Sequence, residues 1–374
     1  MANTLAPAEV YFTSMRIKPT DSIPAKLRRL LKAAGFNDIE LSGDYVAIKS
    51  HIGEMDNVFY LRPAYARVVA ELLKDKGAKP FMADCASLYP GMRSNAIDFL
   101  ACAEINGHTV QSCGCPTIVA DGIRGIDDVI IPIENGELLQ SAYIGRAFMD
   151  ADFLLTISHA KGCKATGFSC SLKNVAMGCA SRAGKMAMHS GTKPVVEQSI
   201  CSGCQLCLRG CVHNAITFVD GKAFITEDCT GCARCLSFCK THAIHPITSN
   251  SPIVIQKLIA EYAAAVLQKK PAFHIAVAID ITAGCDCFPD CDSPIVGDVG
   301  MFASFDPVAL DRACADMINK QEPIVGTRLS DDLESRQEKD GFTTMYPETD
   351  WEIANIHAEK LGIGTREYRL IEVS

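Results

Sequence analysis

The chain carries the stretch Cys201-Ser-Gly-Cys-Gln-Leu-Cys-Leu-Arg-Gly-Cys211 and, 28 residues later, Cys229-Thr-Gly-Cys-Ala-Arg-Cys-Leu-Ser-Phe-Cys239. Both stretches have the spacing C-x2-C-x2-C-x3-C. Together they contain eight of the nineteen cysteines in a chain of 374 residues. A duplication of this kind indicates a compact unit built from two similar halves.

This spacing is typical of the ligands of 4Fe–4S clusters, each of which needs four cysteine thiolates. Three thiolates of one copy bind one cluster, and the fourth completes the other cluster. We therefore expect two 4Fe–4S clusters, the first held by Cys201, Cys204, Cys207 and Cys239 and the second by Cys229, Cys232, Cys235 and Cys211. Zinc is the alternative, but zinc sites use pairs of cysteines and do not explain the third one. Disulfides are disfavoured because the chain shows no secretory context.

The composition restricts the possible partners and the compartment. The net charge of −8 argues against a general nucleic-acid-binding protein. The first residues lack the basic start and apolar core of a signal peptide, and apolar runs such as residues 273–281 are too short to span a membrane. Nineteen cysteines without such a signal predict a reducing cytoplasm and a use in metal binding or redox chemistry. An anaerobic host would suit exposed clusters.

On both sides of the duplicated unit, strand patterns alternate with helix patterns. The predicted strands are residues 10–13, 45–49, 79–84, 116–120, 129–133, 153–158, 273–281 and 369–373. This alternation predicts an α/β fold with a mostly parallel sheet and helices on both faces. We expect one α/β domain formed by residues 1–195 and 252–374, with residues 196–251 inserted as a bacterial-type two-cluster ferredoxin module. Two α/β lobes bridged by the module are the alternative.

A glycine-rich basic stretch covers residues 153–196 and contains no acidic residue. Its cations are Lys161, Lys164, Lys173, Arg182, Lys185 and Lys193. The stretch begins at the end of a predicted strand, where parallel sheets bind ligands. One interpretation is an anion site, with His159, Lys161 and Lys173 as catalytic candidates and with Lys164, Arg182 and Lys185 as anion-binding candidates. The other is a solvated basic surface near anionic clusters.

A third concentration of cysteines follows another predicted strand. Cys285, Cys287 and Cys291 have the spacing C-x-C-x3-C, which is not a standard metal-binding spacing. Together with Cys163 and Cys170 they could supply ligands for a further metal or iron–sulfur cluster. The alternative is that these cysteines are small buried hydrophobic residues.

The chain resembles the iron–sulfur proteins built on domain of unknown function 362. The shared motifs are Leu61-Arg62-Pro63, Gly77-Ala78-Lys79-Pro80-Phe81, Ser158-His159-Ala160-Lys161-Gly162, Ser171-Leu172-Lys173-Asn174, Met177-Gly178-Cys179-Ala180-Ser181-Arg182, Gly184-Lys185, Cys285-Asp286-Cys287, Asp298-Val299-Gly300 and Ser304-Phe305-Asp306-Pro307-Val308-Ala309. The resemblance implies an α/β domain with a two-cluster ferredoxin insert. The sequence departs from the family pattern at Cys163, where the family has histidine, and at Cys170, where glycine is expected.

These features favour an iron–sulfur oxidoreductase. Electrons from a redox partner or reduced ferredoxin would pass through the two clusters to an anionic substrate or a further metal site in the α/β domain. A ferredoxin-like electron carrier is an alternative, although most of the chain lies outside the small module that a carrier needs. A protein that binds or matures a metal or cluster is the other alternative, since it would use the additional cysteines.

Overall fold

The computed structural model describes residues 6–191, 193–335 and 340–374. Residues 1–5, which contribute to the expectation that a signal peptide is absent, lie outside this range, as do residues 336–339 of a predicted polar stretch. The strands are β1 (Ala8–Ser14), β2 (Tyr45–Ser50), β3 (Lys79–Asp84), β4 (Thr117–Val119), β5 (Asp128–Pro132), β6 (Ser141–Gly145), β7 (Phe153–His159), β8 (Lys161–Cys163), β9 (Gly167–Ser169), β10 (Val195–Val196), β11 (Ile216–Val219), β12 (Lys222–Ile225), β13 (Ile244–His245), β14 (Ala272–Ala278), β15 (Gly300–Ser304) and β16 (Tyr368–Glu372).

Helices connect most of these strands. They are α1 (Ile23–Ala33), α2 (Pro63–Asp75), α3 (Ala96–Ile105), α4 (Val110–Cys113), α5 (Arg146–Asp150), α6 (Ser171–Cys179), α7 (Arg182–His189), α8 (Pro252–Leu267), α9 (Pro307–Ile318), α10 (Arg328–Ser335), α11 (Gly341–Met345) and α12 (Glu352–Lys360). As predicted, Ser22 caps α1, since its side chain accepts a hydrogen bond from the backbone N–H of Ala25.

The large sheet has the strand order β16-β1-β15-β14-β7-β2-β3-β4. Its strands run parallel except at β15, which is antiparallel to both β1 and β14. The fold is therefore α/β with a mostly parallel central sheet, as the alternating pattern predicts.

Side chains that alternate along the central strands explain the two layers of helices. In β7, Leu154 packs in one apolar core while Leu155 and Ile157 pack in another, on the opposite face of the sheet. Helices α6 and α8 cover the face of Leu154, and α1 and α2 cover the other face. Because both faces are covered, the strands at the centre of the sheet are buried along most of their length.

Two details of the strand prediction differ from the structure. The strand predicted at residues 129–133 is β5, which pairs with β6 in a separate hairpin and not with the large sheet. The antiparallel strand β15 was not predicted. It is a short buried run between β14 and β1, so its sequence shows no alternation of polar and apolar residues that would identify it.

Residues 196–251, called the insert below, contribute no strand to the large sheet among the residues described. They contain the antiparallel pair β11–β12, and β10 pairs with β13 where the chain enters and leaves. Asn250 fastens this junction, since its side chain donates to the backbone oxygens of Ala187 and Met188 at the end of α7. Beyond this junction, the insert also contacts the framework at Arg124, which exchanges hydrogen bonds with Ser237 and lies over the ring of Phe238.

Within the described residues, the helices are too short or too polar to cross a membrane.

Candidate functional site

The carboxyl ends of β14, β7, β2 and β3 lie side by side at one edge of the large sheet. His51 directly follows β2, Asp84 ends β3 and His159 ends β7. Parallel sheets bind ligands at this edge. The loop after β14 brings further polar side chains to the same place, so this edge is the candidate site.

His159 is held between a carboxylate and a backbone carbonyl. Its Nδ1 lies 3.0 Å from Asp286 Oδ2, and its Nε2 lies 2.7 Å from the carbonyl oxygen of Ile279. Lys161 Nζ donates to the same Asp286 Oδ2 at 2.7 Å. Burial alone would raise the pKa of Asp286, but Lys161 and His159 outweigh it and hold that pKa well below its usual value. A carboxylate and a carbonyl oxygen are both hydrogen-bond acceptors, so each ring nitrogen of His159 faces an acceptor. A proton-transfer role for His159 would therefore require one of these bonds to break.

Three cysteines, called the thiol group below, lie next to this ion pair: Cys163 at the end of β8, and Cys285 and Cys287 in the loop after β14. Cys285 Sγ lies 3.1 Å from Cys287 Sγ. Lys173 in α6 donates from Nζ to Cys163 Sγ at 2.8 Å and to Cys285 Sγ at 3.8 Å. Hydrogen bonds from Cys163 and Cys287, followed by the charge of Lys173, lower the pKa of Cys285 well below 9.0, although burial acts in the other direction. The ammonium of Lys173 thus contacts two of the three sulfurs of the thiol group.

A second set of polar side chains approaches the thiol group from the loop after β2. Cys287 Sγ lies 3.5 Å from His51 Nε2, and Arg93 Nη1 lies 3.0 Å from the same nitrogen. Arg93 also donates to Glu54 Oε2 at 3.0 Å and to the carbonyl oxygen of Cys287 at 3.3 Å. Burial, and then the charge of Arg93, lower the pKa of His51 to about 3, so its ring is neutral at physiological pH.

The other two predicted cysteines of this region have different surroundings. Cys291 is near the rim, where its Sγ lies 3.2 Å from Asn57 Nδ2 and 3.2 Å from the carbonyl oxygen of Cys285. Cys170 is buried elsewhere, and its polar neighbours are Cys314 and Asp311 of α9. The structure therefore brings Cys163, Cys285, Cys287 and Cys291 into one region and leaves Cys170 outside it.

The six cations of the basic stretch are not one continuous surface. Lys161 and Lys173 belong to the site just described, whereas the other four lie apart from it or are exposed. Lys164 is exposed, Lys185 donates to the carbonyl oxygen of Ala180 at 2.6 Å, the buried Arg182 donates to the carbonyl oxygen of Ser94, and Lys193 pairs with Glu227. Of these six cations, Lys161 and Lys173 are therefore the two whose described contacts are with side chains of the candidate site.

A second buried ammonium lies beneath the site. Lys49 of β2 is 1% exposed, and its Nζ donates to Asn174 Oδ1 at 2.7 Å and lies 3.3 Å from Asp84 Oδ1. Gly178 in α6 leaves room for this side chain, because a Cβ at that position would lie 1.8 Å from Lys49 Cε. Asn174 also donates to Ser158 Oγ at 2.9 Å, so α6 is tied to the end of β7.

The cysteines of the insert fall into two neighbouring groups. Burial, followed by the thiols of Cys239, Cys204 and Cys201, raises the pKa of Cys207. Burial, followed by Cys232, Cys229, Cys207 and Cys211, raises the pKa of Cys235. Apart from Cys207, which also acts on Cys235, these neighbours match the two sets of four in the predicted assignment. The short turns that carry Cys207 and Cys235, Leu206–Gly210 and Arg234–Phe238, also contact each other.

A small hollow that is partly open to solvent lies at the second group and is lined by Cys211, Cys229, Cys232 and Cys235. Among the residues that the structure describes, no group of three or more His, Cys, Asp or Glu side chains has the arrangement of a site for a metal ion.

Tyr89 and His189 lie between the insert and the thiol group. Tyr89 follows β3 and packs against the apolar core of the insert, and its hydroxyl lies 3.1 Å from Thr248 Oγ1. Its ring meets the ring of His189 edge-on, with centroids 5.8 Å apart. Burial, and then the charges of Lys173 and Lys185, lower the pKa of His189 to about 4. The ring of His189 is therefore within electrostatic range of the lysine that contacts the thiol group.

Sequence reasoning missed His51, Arg93 and Asp286 as functional residues. His51 directly follows a predicted strand, so the rule that singled out His159 applied to it as well. Asp286 was visible between two cysteines, but its contacts with His159 and Lys161 depend on the loop after β14. No sequence pattern pointed to Arg93 as a site residue, because it reaches the site from a short turn between β3 and α3.

Several solved structures are similar to this chain. The lactate racemase apoprotein from Thermoanaerobacterium thermosaccharolyticum is 14% identical, with a TM-score of 0.38, and the match covers 72% of this chain and 51% of that one. A protein from Thermotoga maritima is 12% identical, with a TM-score of 0.36, and the match covers 68% of this chain and 50% of that one. The chain thus spans about half the length of each of these two solved proteins. No curated protein matches the sequence. The family model described as domain of unknown function (DUF362) matches residues 46–316, and the chain therefore belongs to this family, as its motifs predicted.

Proposed function

We propose that the chain is an iron–sulfur oxidoreductase in which the insert holds two 4Fe–4S clusters and the thiol group with its lysines receives the electrons. The observation that supports this proposal is the exchange of one cysteine between the two copies of the pattern. Cys239 of the second copy is a neighbour of Cys207, and Cys211 of the first copy is a neighbour of Cys229 and Cys235. A 4Fe–4S cluster requires this sharing between copies.

The donor set fits two clusters. Four thiolates per cluster match the number of irons, and each thiolate of a cubane binds a different iron, so the sulfurs need not be as close as the ligands of a single ion. Cys211, Cys229, Cys232 and Cys235 line a common hollow, which supports the second set. When bound, such clusters supply one-electron transfer steps.

The contact between the insert and the sheet edge supports a route for electrons. Tyr89 packs on the insert core, and its ring contacts His189 at 5.8 Å between centroids. His189 lies close enough to Lys173 and Cys285 for their charges to act on its pKa. This pair is therefore our candidate for the path between the insert and the thiol group, with the ring of Tyr89 at the insert and the ring of His189 within electrostatic range of Lys173.

The charges at the thiol group favour an anionic substrate. Lys161 is neutralised by Asp286 at 2.7 Å, but Lys173 has thiol sulfurs and no carboxylate among its contacts. When the thiols are protonated, the charge of Lys173 is available to a carboxylate or phosphate. Lys173→Glu should therefore abolish binding of such a ligand, while Lys164→Glu, at an exposed position, serves as the matched control.

Iron and sulfide analysis of anaerobically prepared protein tests the proposal. We expect eight irons and eight sulfides per chain, with visible absorbance that dithionite bleaches. Cys204→Ala should lose one cluster and weaken the other, because Cys211 and Cys239 tie each half of the insert to the other set. Cys102→Ala, outside both sets, should retain eight irons. Eight irons in the Cys204→Ala protein, or zinc in place of iron in the wild type, would contradict the assignment.

A further inference from the structure

The thiol group has an arrangement that burial alone does not require. Cys285 and Cys287 are two residues apart in one loop, and their Sγ atoms lie 3.1 Å from each other. Both are partly accessible, unlike Cys102, Cys113 and Cys314, which are fully buried. A disulfide needs an S–S distance of about 2.05 Å, so a movement of about 1 Å would join the two sulfurs.

We propose that Cys285 and Cys287 are a redox-active dithiol that carries two electrons from the clusters to a disulfide substrate. This inference rests on the proposed function for its electron source, and it adds the class of substrate. Two one-electron centres in the insert match a two-electron couple, since each cluster would provide one electron for each turnover.

The reaction balances in three steps. The Cys285 thiolate attacks a substrate disulfide, RSSR, which forms the mixed disulfide Cys285–S–S–R and releases one thiolate, RS⁻. The Cys287 thiolate then attacks Cys285 Sγ, which forms the Cys285–Cys287 disulfide and releases the second RS⁻. Two electrons from the clusters and two protons return the pair to two thiols. The sum is RSSR plus two electrons plus two protons giving two RSH.

The loop that carries the dithiol is fixed on both sides of its sulfurs. Asp286, between the two cysteines, is 1% exposed and is anchored by Lys161 and His159. Its carbonyl oxygen accepts from the backbone N–H of Glu54 at 2.9 Å, and the carbonyl oxygen of Cys287 accepts from Arg93 at 3.3 Å. The side chain of Asp286 thus points into the protein, and those of its neighbours stay together near the surface.

The positions of two cations suit the exchange steps. Lys173 Nζ lies 3.8 Å from Cys285 Sγ, where it stabilises the attacking thiolate. Cys163 Sγ, the third thiol of the group, lies 2.8 Å from the same ammonium. Arg93, next to His51 and the carbonyl of Cys287, lies on the other side of the pair.

Thiol trapping in anaerobic glutathione buffers tests the dithiol directly. The wild-type protein is equilibrated at increasing ratios of oxidised to reduced glutathione, quenched with iodoacetamide and analysed as peptides by mass spectrometry. We expect Cys285 and Cys287 to lose alkylation together and to yield a peptide 2 Da lighter than the dithiol form. In Cys287→Ser we expect glutathione on Cys285, whereas Cys102→Ala should behave as the wild type. Two thiols that stay alkylated in oxidised glutathione, or that are protected by a bound metal, would overturn the proposal.

A turnover assay separates this inference from the proposed function. Reduced ferredoxin and glutathione disulfide are supplied to the cluster-loaded protein, and the glutathione formed is measured. Cys287→Ser should keep eight irons and lose at least tenfold in rate. Wild-type rates in that variant would end the dithiol proposal and leave the clusters untouched. A protein without iron that still forms the Cys285–Cys287 disulfide would instead end the proposed function and leave the dithiol standing.

Discussion

Lys161 Nζ lies 2.7 Å from Asp286 Oδ2, and both residues are more than 95% buried. The same carboxylate oxygen lies 3.0 Å from His159 Nδ1, so one buried acid is shared by a lysine and a histidine. Such an arrangement stabilises the protein only while each buried charge keeps its partner. A buried charge that loses its partner still carries the full cost of desolvation.

We therefore expect Asp286→Asn to be strongly destabilising, by about 3–5 kcal/mol, since it leaves Lys161 without a carboxylate. The free energy of unfolding from anaerobic urea titrations measures the effect. The matched control is Asp127→Asn, which breaks an exposed pair with Arg146 and should cost less than about 1 kcal/mol. Equal losses in the two variants would mean that the buried pair adds nothing beyond a surface contact.

Lys173→Gln should slow the alkylation of Cys285 at neutral pH by at least about tenfold. The ammonium lies 3.8 Å from the sulfur, and a unit charge at about 4 Å interacts with a thiolate by up to about 4 kcal/mol at an effective dielectric constant of about 20. Removing it raises the pKa of Cys285 and reduces the thiolate fraction. Peptide mass spectrometry after timed exposure to iodoacetamide gives the rate. Lys164→Gln, an exposed neighbour, should leave the rate unchanged.

Gly178→Ala should destabilise the protein, although helix propensity predicts the opposite. In a helix, alanine is usually better than glycine by roughly 0.5–1 kcal/mol. Here the new Cβ would lie 1.8 Å from Lys49 Cε, and the enclosed lysine cannot move without losing Asn174 and Asp84. We expect a lower melting temperature in anaerobic thermal unfolding. Gly297→Ala, where no atom lies within 4 Å of the new Cβ, is the control, and a stabilised Gly178→Ala protein would refute the packing argument.

Acid should destabilise the protein through its buried neutral histidines. Burial lowers the pKa of His274 to about 3, whereas an unfolded histidine titrates near 6.5. The unfolded chain therefore binds an additional proton between these values, so the stability is fully present above about pH 6.5 and falls as the pH drops toward 3. At pH 5 this one residue costs about 2 kcal/mol relative to neutral pH.

Urea titrations at pH 7.5 and 5 check this expectation. His274→Asn keeps a polar atom near Thr156 Oγ1, which lies 2.9 Å from His274 Nδ1, and removes the titrating ring. The difference in unfolding free energy between the two pH values should be about 2 kcal/mol smaller in the variant. An unchanged difference would show that His274 does not titrate on unfolding in this range.

The sequence allowed the framework to be predicted because its signals are local. Alternating apolar runs and helix caps such as Ser22 depend on neighbouring residues only, and they gave the α/β class and most strands. The strand ends also predicted where chemistry would concentrate. The pairing of β5 with β6, and the place of β15 in the sheet, depend on contacts between distant segments, and no local pattern reports those.

The candidate site was predictable in part for the same reason. Cys285 and Cys287 were visible as a motif, and Cys163 and Lys173 as members of a basic stretch with additional thiols. That Cys163 would join them and Cys170 would not depends on the course of the chain around β8 and β9: Cys170 meets α9. Asp286 is shared by Lys161 and His159 only once the loop after β14 has folded. The spacing of residues in the sequence does not predict that loop conformation.

The junction of the insert at Asn250 has a consequence for how proteins with this architecture can evolve. Because the insert leaves and rejoins the framework through adjacent strands, β10 and β13, its removal would open no gap in the large sheet, although it would expose the surfaces at Tyr89 and Arg124 that the insert covers. Recombination at this junction could therefore exchange or delete residues 196–251 in a single genetic event. The edge of the sheet that carries the candidate site and the segment that we propose as its source of electrons could then evolve at different rates within one polypeptide.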